Sequence, residues 1–294
     1  PMTDTFTRIP ARTAEIGGGV PVARMLPSRH RRTIGAWCFL DHAGPARFAA
    51  GQGLRVGPHP HTGLQTFTWM LEGEVLHRDS LGNEQVIRAG QVNLMTAGRG
   101  IAHTEESVAG ETRLHTAQLW IALPARVADM APRFDHYPDL PRWNEGGAEA
   151  VLLAGAFMGR QSPVLVHTPL VGVDWHAPRD AALTLALDPA FEYGLVPLTG
   201  PASAQGQALA ADELLYLPPG ADTLRLELPA GTRALLIGGA PFGEDITIWW
   251  NFVGHGKPYI TQAQRDWQAH SERFGEVRGF DGPRIEAPPV PWAP

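Results

Sequence analysis

The apolar residues of this chain come in short runs, each cut off by glycine or proline, and that punctuation most restricts what it can fold into. With 33 glycines and 27 prolines in 294 residues, few stretches can sustain a helix, because glycine weakens helices and proline removes a backbone donor. Several of the remaining runs are rich in β-branched and aromatic residues. Gln65 to Leu71 stops at Glu72-Gly73, Gln85 to Arg88 lies between Gly82 and Gly90, and Gln91 to Met95 runs into Gly98-Arg99-Gly100. Leu114 to Leu123 is closed by Pro124. Strands this short and evenly spaced predict an all-β barrel or sandwich.

At roughly 150 residues per domain, the length fits about two domains. Prolines at 124, 132, 138 and 141 mark a change of character, with a short helix expected over Arg126 to Met130. We read a first barrel over 1–130, a linker over 131–145 and a second barrel over 146–275. Strands resume near Val151 and continue through Leu183 to Leu187, Leu214 to Leu217, Leu224 to Leu228 and Ala234 to Ile237. Thr261 reads as the cap of a terminal helix reaching Phe274, with Gly275 as its stop and Ile260, Ala263, Trp267 and Phe274 as its apolar stripe. The Pro-rich tail, 276–294, is expected to be irregular. A faint repeat links Ala89 to Gly98 with Ala211 to Gly220, and Leu71-Glu72-Gly73 with Leu198-Thr199-Gly200, as tandem related barrels require.

The net charge of −6 argues against general affinity for nucleic acid phosphates or anionic lipid. A single cysteine, Cys38, excludes an intrachain disulfide and any zinc site built from several thiolates. It sits in an apolar run and reads as a buried thiol. No apolar run reaches the ~20 residues that cross a bilayer, and the start of the chain lacks a secretory pattern. A cytoplasmic setting is expected.

Among twelve histidines, His59-Pro60-His61 and His103-Thr104-Glu105 stand apart. On a strand, residues i and i+2 point the same way, roughly 6.5–7 Å apart. Two such pairs on facing strands can converge on one divalent ion at about 2.0–2.2 Å and leave positions open for water, O2 or substrate. Pro60 fits a strand start or edge. The rival reading is of histidines that hold no metal.

These residues also carry a family resemblance. Gly53 through Gln65, enclosing His59-Pro60-His61, is similar to the first cupin motif, and Gly90 to Gly98 followed by His103 to the second. The string Thr96-Ala97-Gly98-Arg99-Gly100-Ile101-Ala102-His103-Thr104-Glu105, with Pro58 to Gly63, resembles the pirins. So do Phe39 to His42, His77 to Ser80, Gln118 to Trp120, Trp250 to Val253 and Arg273 to Gly275. The resemblance implies two tandem cupin barrels (double-stranded β-helix, or jelly roll) with a short C-terminal helix. It also implies one metal per chain, usually iron, held by His59, His61, His103 and Glu105. Manganese, nickel, copper, cobalt and zinc suit the same donors. Aligning the glycine turns sets Arg225 and Glu227 where the second barrel would need ligands, and Arg cannot serve as one.

One departure stands out: Gln65 replaces an acid that usually follows the first histidine pair. It could orient a ligand or simply be a satisfied polar residue. Gln65, Trp69, His77 and Gln118 are candidates to line a substrate pocket, each with a structural role as its rival reading. Asp79, His115, Met95, Trp120 and Ile121 are further pocket candidates. The resemblance implies a quercetin 2,3-dioxygenase-like oxidoreductase that takes a flavonol-like aromatic substrate and O2. The substrate proton needs an acceptor, and Glu105, loosened from the metal, could supply it. The alternative that the resemblance implies is a non-enzymatic, iron-dependent redox sensor that binds a partner protein.

Overall fold

The computed structural model describes residues 6–293. Strands dominate, with one helix, α1 (Lys257–Gln268), among the described residues. The chain divides into two compact units. One takes the chain up to Thr13, Ala23–His42 and Asp139–Phe242. The other takes Ala14–Val22, Ala43–Pro138 and everything from Gly243 on.

The second of these units carries both histidine pairs. Its strands are β1 (Arg55–His61), β2 (Leu64–Glu72), β3 (Val75–Asp79), β4 (Glu84–Ile87), β5 (Val92–Thr96), β6 (Ile101–Ser107), β7 (Arg113–Ala122) and β8 (Arg133–Tyr137). A four-stranded sheet runs in the order β1-β6-β3-β4, and a seven-stranded sheet contains β8-β5-β2-β7 side by side. All of these pairs are antiparallel. Strand β1 lies at an edge, so Pro60 loses no ladder bond there. Gly63 makes the turn from β1 to β2 at φ +67°, where a Cβ would stand 2.1 Å from the Val253 carbonyl oxygen; only glycine fits that approach.

The other unit repeats the plan. Its seven-stranded sheet sets Glu213–Leu217 beside Glu192–Thr199 and then Arg233–Gly239, as β5, β2 and β7 neighbour one another in the first. The two sequences that resemble each other thus occupy the same place in two sheets. The interior of this unit is apolar, built from Trp175, Leu185, Leu195, Leu224, Leu226 and Leu236 among others. Arg225 and Glu227 are exposed on their strand while its leucines face in, so the aligned positions lie outside the barrel. Cys38 is fully buried, and burial pushes its thiol up to about 12, leaving it unreactive.

Several expectations change. The 131–145 stretch is not a free linker: β8 pairs with β5, and Arg142–Glu145 pairs with Ala148–Ala154. Arg126 to Met130 forms turns closed by Val127 N–H to the Pro124 carbonyl and Met130 N–H to the Val127 carbonyl, with no helix. The terminal helix begins earlier, with Pro258 in its first turn, and Thr261 lies inside it, where its hydroxyl donates to the Lys257 carbonyl. The helix also belongs with the histidine-bearing unit rather than the second barrel. Its stripe of Ile260, Ala263 and Trp267 packs with Phe252, Phe274, Ala287 and Ala102 of β6. The tail over 276–293 is irregular.

Trp267 is 2% exposed and anchors this packing. Trp267→Ala is expected to destabilise the histidine-bearing unit by about 3–5 kcal/mol, the usual result of emptying a buried indole site. A lowered urea midpoint with unchanged slope checks it.

Candidate metal centre

The register brings the histidines together. His59 on β1 lies opposite His103 on β6, and Ile101 opposite His61. Alternation then turns His59, His61 and His103 to one face, and their ligand atoms all lie within 4.8 Å of one another. Among the described residues no other group of three such side chains converges. All three are buried.

The local hydrogen bonds fix which nitrogen faces the group. His59 Nδ1 donates to the Gly57 carbonyl at 2.8 Å, and His61 Nδ1 to the Asn251 carbonyl at 2.9 Å. A carbonyl only accepts, so each Nδ1 carries the proton and each Nε2 keeps its lone pair. His61 Nε2 stands 3.1 Å from His103 Nε2. Two nitrogens bound to one ion at about 2.0–2.1 Å stand roughly 2.8–3.4 Å apart for angles between a right angle and tetrahedral. The donor set therefore fits a divalent transition ion.

Burial also sets the charge. It pushes His59 down to about 4 and holds His61 and His103 well below the ordinary imidazole range. Neutral imidazole is the form that ligates a metal. Glu105 shares the inward face of β6 but stands beside the three rings, its Oε1 3.7 Å from His103 Nδ1. The close group is thus three histidines, with the carboxylate next to it. Burial raises the Glu105 carboxyl to about 7. His103 Nδ1 has no hydrogen-bond partner among the described residues.

Around this group the larger sheet supplies a wall. The Trp120 ring on β7 meets His61 edge-on at 5.3 Å between centroids. Phe134 on β8 stacks on His77 at 4.1 Å, with planes 11° apart. His77 Nε2 is 2.7 Å from Asp79 Oδ2. Burial alone would raise the Asp79 carboxyl, but the bonds from His77 and Asn83 outweigh it and hold it below the usual range.

The same contacts decide which expected pocket residues face the histidines. Trp120 pairs with Thr66 and Gln118 with Thr68, so Gln118 shares the inward face. Gln65 and Trp69, one residue out of phase on β2, lie on the opposite face with Ile121. Gln65 Nε2 donates to Thr96 Oγ1 there at 3.0 Å. A period of two leaves no other choice, so neither Gln65 nor Trp69 lines the histidine pocket, and replacing the usual acid at 65 removes nothing from it. His115 lies opposite Glu72, at the far end of the β2–β7 pair. Phe134 and the Asn251 carbonyl escape sequence reasoning. The first lies in a stretch read as linker, and its strand is seen only through its pairing with β5; the second is a backbone atom with no side-chain signal.

Comparison with known proteins decides the family. The pirin family model matches residues 19–121, and the pirin C-terminal cupin domain model matches 172–275. The chain belongs to the pirin family. A Pseudomonas aeruginosa protein named "Putative quercetin 2,3-dioxygenase" is 61% identical over 97% of this chain and 90% of its own length. A pirin-like protein of Caulobacter vibrioides is 38% identical over 86% of this chain and 89% of its own. The crystal structure of quercetin 2,3-dioxygenase from Acinetobacter baumannii superposes with a TM-score of 0.96 at 52% identity, covering 97% of this chain and 96% of that one. The fold is therefore the tandem-cupin plan of this pirin's relatives. No helix is long and apolar enough to cross a membrane.

The metal-free pirin should lose stability on acidification. His59 resists protonation until about pH 4 when folded, while in the unfolded chain it takes a proton near 6.5. Its stabilising contribution, present above 6.5, is lost as pH falls toward 4, by about 3 kcal/mol. His61 and His103 act in the same direction. Glu105, raised when folded, opposes them between about 7 and its ordinary value of 4.5. Urea denaturation in chelator should show a net fall between pH 6.5 and 4, and a steeper one in Glu105→Gln.

Proposed function

We propose that this pirin holds one divalent transition ion with His59, His61, His103 and Glu105 and catalyses O2-dependent cleavage of a flat, hydroxylated, flavonol-like aromatic molecule. Iron(II) is the first candidate ion; manganese, nickel, copper, cobalt and zinc suit the donor set. The observation that carries the reading is the placement of three neutral, buried imidazoles against an aromatic wall, with a carboxyl of neutral-range pKa beside them. The names of the 61% and 52% identical relatives support the same substrate class.

A bound divalent ion supplies Lewis acidity toward a substrate hydroxyl and electron density toward O2. The chain supplies the rest. Backbone carbonyls of Gly57 and Asn251 orient the His59 and His61 rings, which fixes their donor atoms. Glu105 is the fourth donor and, where it loosens from the ion, the acceptor for the substrate's hydroxyl proton. Trp120, Met95 and Phe134 grip the rings from the facing sheet, Gln118 offers a polar contact beside them, and His77 is held against Phe134.

Iron-loaded protein incubated with quercetin should bleach its visible band and consume O2. No turnover with iron, manganese, nickel, cobalt or copper would remove the oxygenase reading and leave metal-dependent partner binding as the role of the site. Elemental analysis should return one metal per chain, falling below about a tenth in His59→Ala/His103→Ala. Metal affinity should rise up to tenfold per pH unit as pH climbs to about 7 and then level off, because Glu105 must lose its proton to ligate while the histidines are already neutral. A chelator competition series from pH 5.5 to 8.5 reads that slope, and Glu105→Gln should flatten it.

A further inference from the structure

The second barrel ends in a cavity of its own. Its strand Ala181–Ala186 pairs with Thr223–Leu228 and leads into Glu192–Thr199, as β1 pairs with β6 and leads into β2. Past Ala186, at the end of the strand that corresponds to the His61 end of β1, a cavity of about 440 Å³ opens between the turn over 187–191 and the hairpin of Ala156–Phe157 with Arg160–Gln161. That is the size of a small-molecule site. Phe157, Leu170, Val171 and Tyr193 line it and are buried. Half-buried Met158 and Phe191 line it too and pack against the barrel core.

Two features of the lining point to a ligand. Met158 stands at φ +50°, a left-handed backbone that a residue with a side chain adopts only at a cost. The strained tip is held in place. The Met158 carbonyl accepts from Arg160 Nη1 at 2.9 Å, and that guanidinium lies 4.3 Å over the Trp143 ring. Strain kept in this way gathers at ligand sites, and here it sets an adaptable thioether in the cavity lining. The second feature is charge. Asp188 carries the only charge among the lining residues and is exposed at the mouth. Its turn fixes it twice: Oδ1 accepts the Ala190 N–H at 2.9 Å, and its own N–H donates to Tyr193 Oη at 2.9 Å. The carboxylate therefore stands by the Phe191 and Tyr193 rings, whose centroids are 6.1 Å apart. Carboxylate and ring faces both attract a cation, and no lining residue would balance an anion.

We propose that this cavity is a second ligand site, which takes a small aromatic amine with its ring against Phe157, Phe191 and Met158 and its ammonium at Asp188. The site shares no residue with the histidine group and needs no metal. The apolar lining supplies most of the affinity by taking the ring out of water. Asp188 supplies the preference for a cation over a neutral or anionic head of the same size.

The probes are 1-naphthylmethylamine, the neutral 1-naphthalenemethanol and the anionic 1-naphthoate, which share one ring system. NMR of the full chain with 13C-labelled methionine methyls reads the site directly, because Met158 lines it; Met158→Leu identifies the resonance. The Met158 signal is expected to shift with the amine and with the alcohol. At low salt the amine should bind about two- to fivefold tighter than the alcohol, the size of an exposed ion pair, and the naphthoate most weakly. Asp188→Asn, which keeps an oxygen for the Ala190 N–H, should bring the amine to the alcohol's affinity and leave the alcohol unchanged. Phe191→Ala should weaken both. A Met158 signal that none of the three moves overturns the site. Equal affinity of amine and alcohol in the unaltered protein, or a preference that survives Asp188→Asn, overturns the amine assignment.

Discussion

Three imidazoles crowded into a buried interior, two of them tied by Nδ1–H to a backbone carbonyl, are the arrangement on which the rest of the site depends. Rings at this separation cannot all be charged, and burial keeps them neutral. Neutral rings with their Nε2 lone pairs aimed at one another repel unless something electrophilic lies between them. The fold thus maintains a local electrostatic demand that a divalent cation meets.

Holding that demand requires structure well away from the ligands. The carbonyl that fixes His61 belongs to Asn251, in the Trp250 to Val253 stretch. There Val253 N–H donates to the Thr62 carbonyl and the Thr62 hydroxyl donates to the Val253 carbonyl. Arg273 reaches the Arg99 carbonyl in the turn before β6. The C-terminal segment, with its helix packed over Ala102, thereby braces the two strands that carry the histidines.

The second barrel keeps the architecture without the histidine group. Its interior is filled by leucine, tryptophan and valine, leaving no group of neutral ligands to hold. Where the first barrel turns His103 and Glu105 inward, the related strand turns leucines inward and sets Arg225 and Glu227 in solvent. A phase difference of one residue on a strand is enough to exchange inward-facing polar ligand-type side chains for an apolar core.

What the sequence determined by itself follows from short-range rules. Glycine and proline punctuation set the strands; spacing of two put His59 with His61 and His103 with Glu105; the repeat foretold two related sheets. These are properties of a few consecutive residues, and alternation or turn chemistry expresses them wherever the chain goes. The tertiary structure decided what depends on which strands pair and in what register. It turned Gln65 and Trp69 away from the histidines, made the stretch after Pro132 an edge strand carrying Phe134 and His136, and sent the terminal helix back to the first barrel. Such outcomes come from bonds between residues far apart in the chain, and no local pattern encodes their partner.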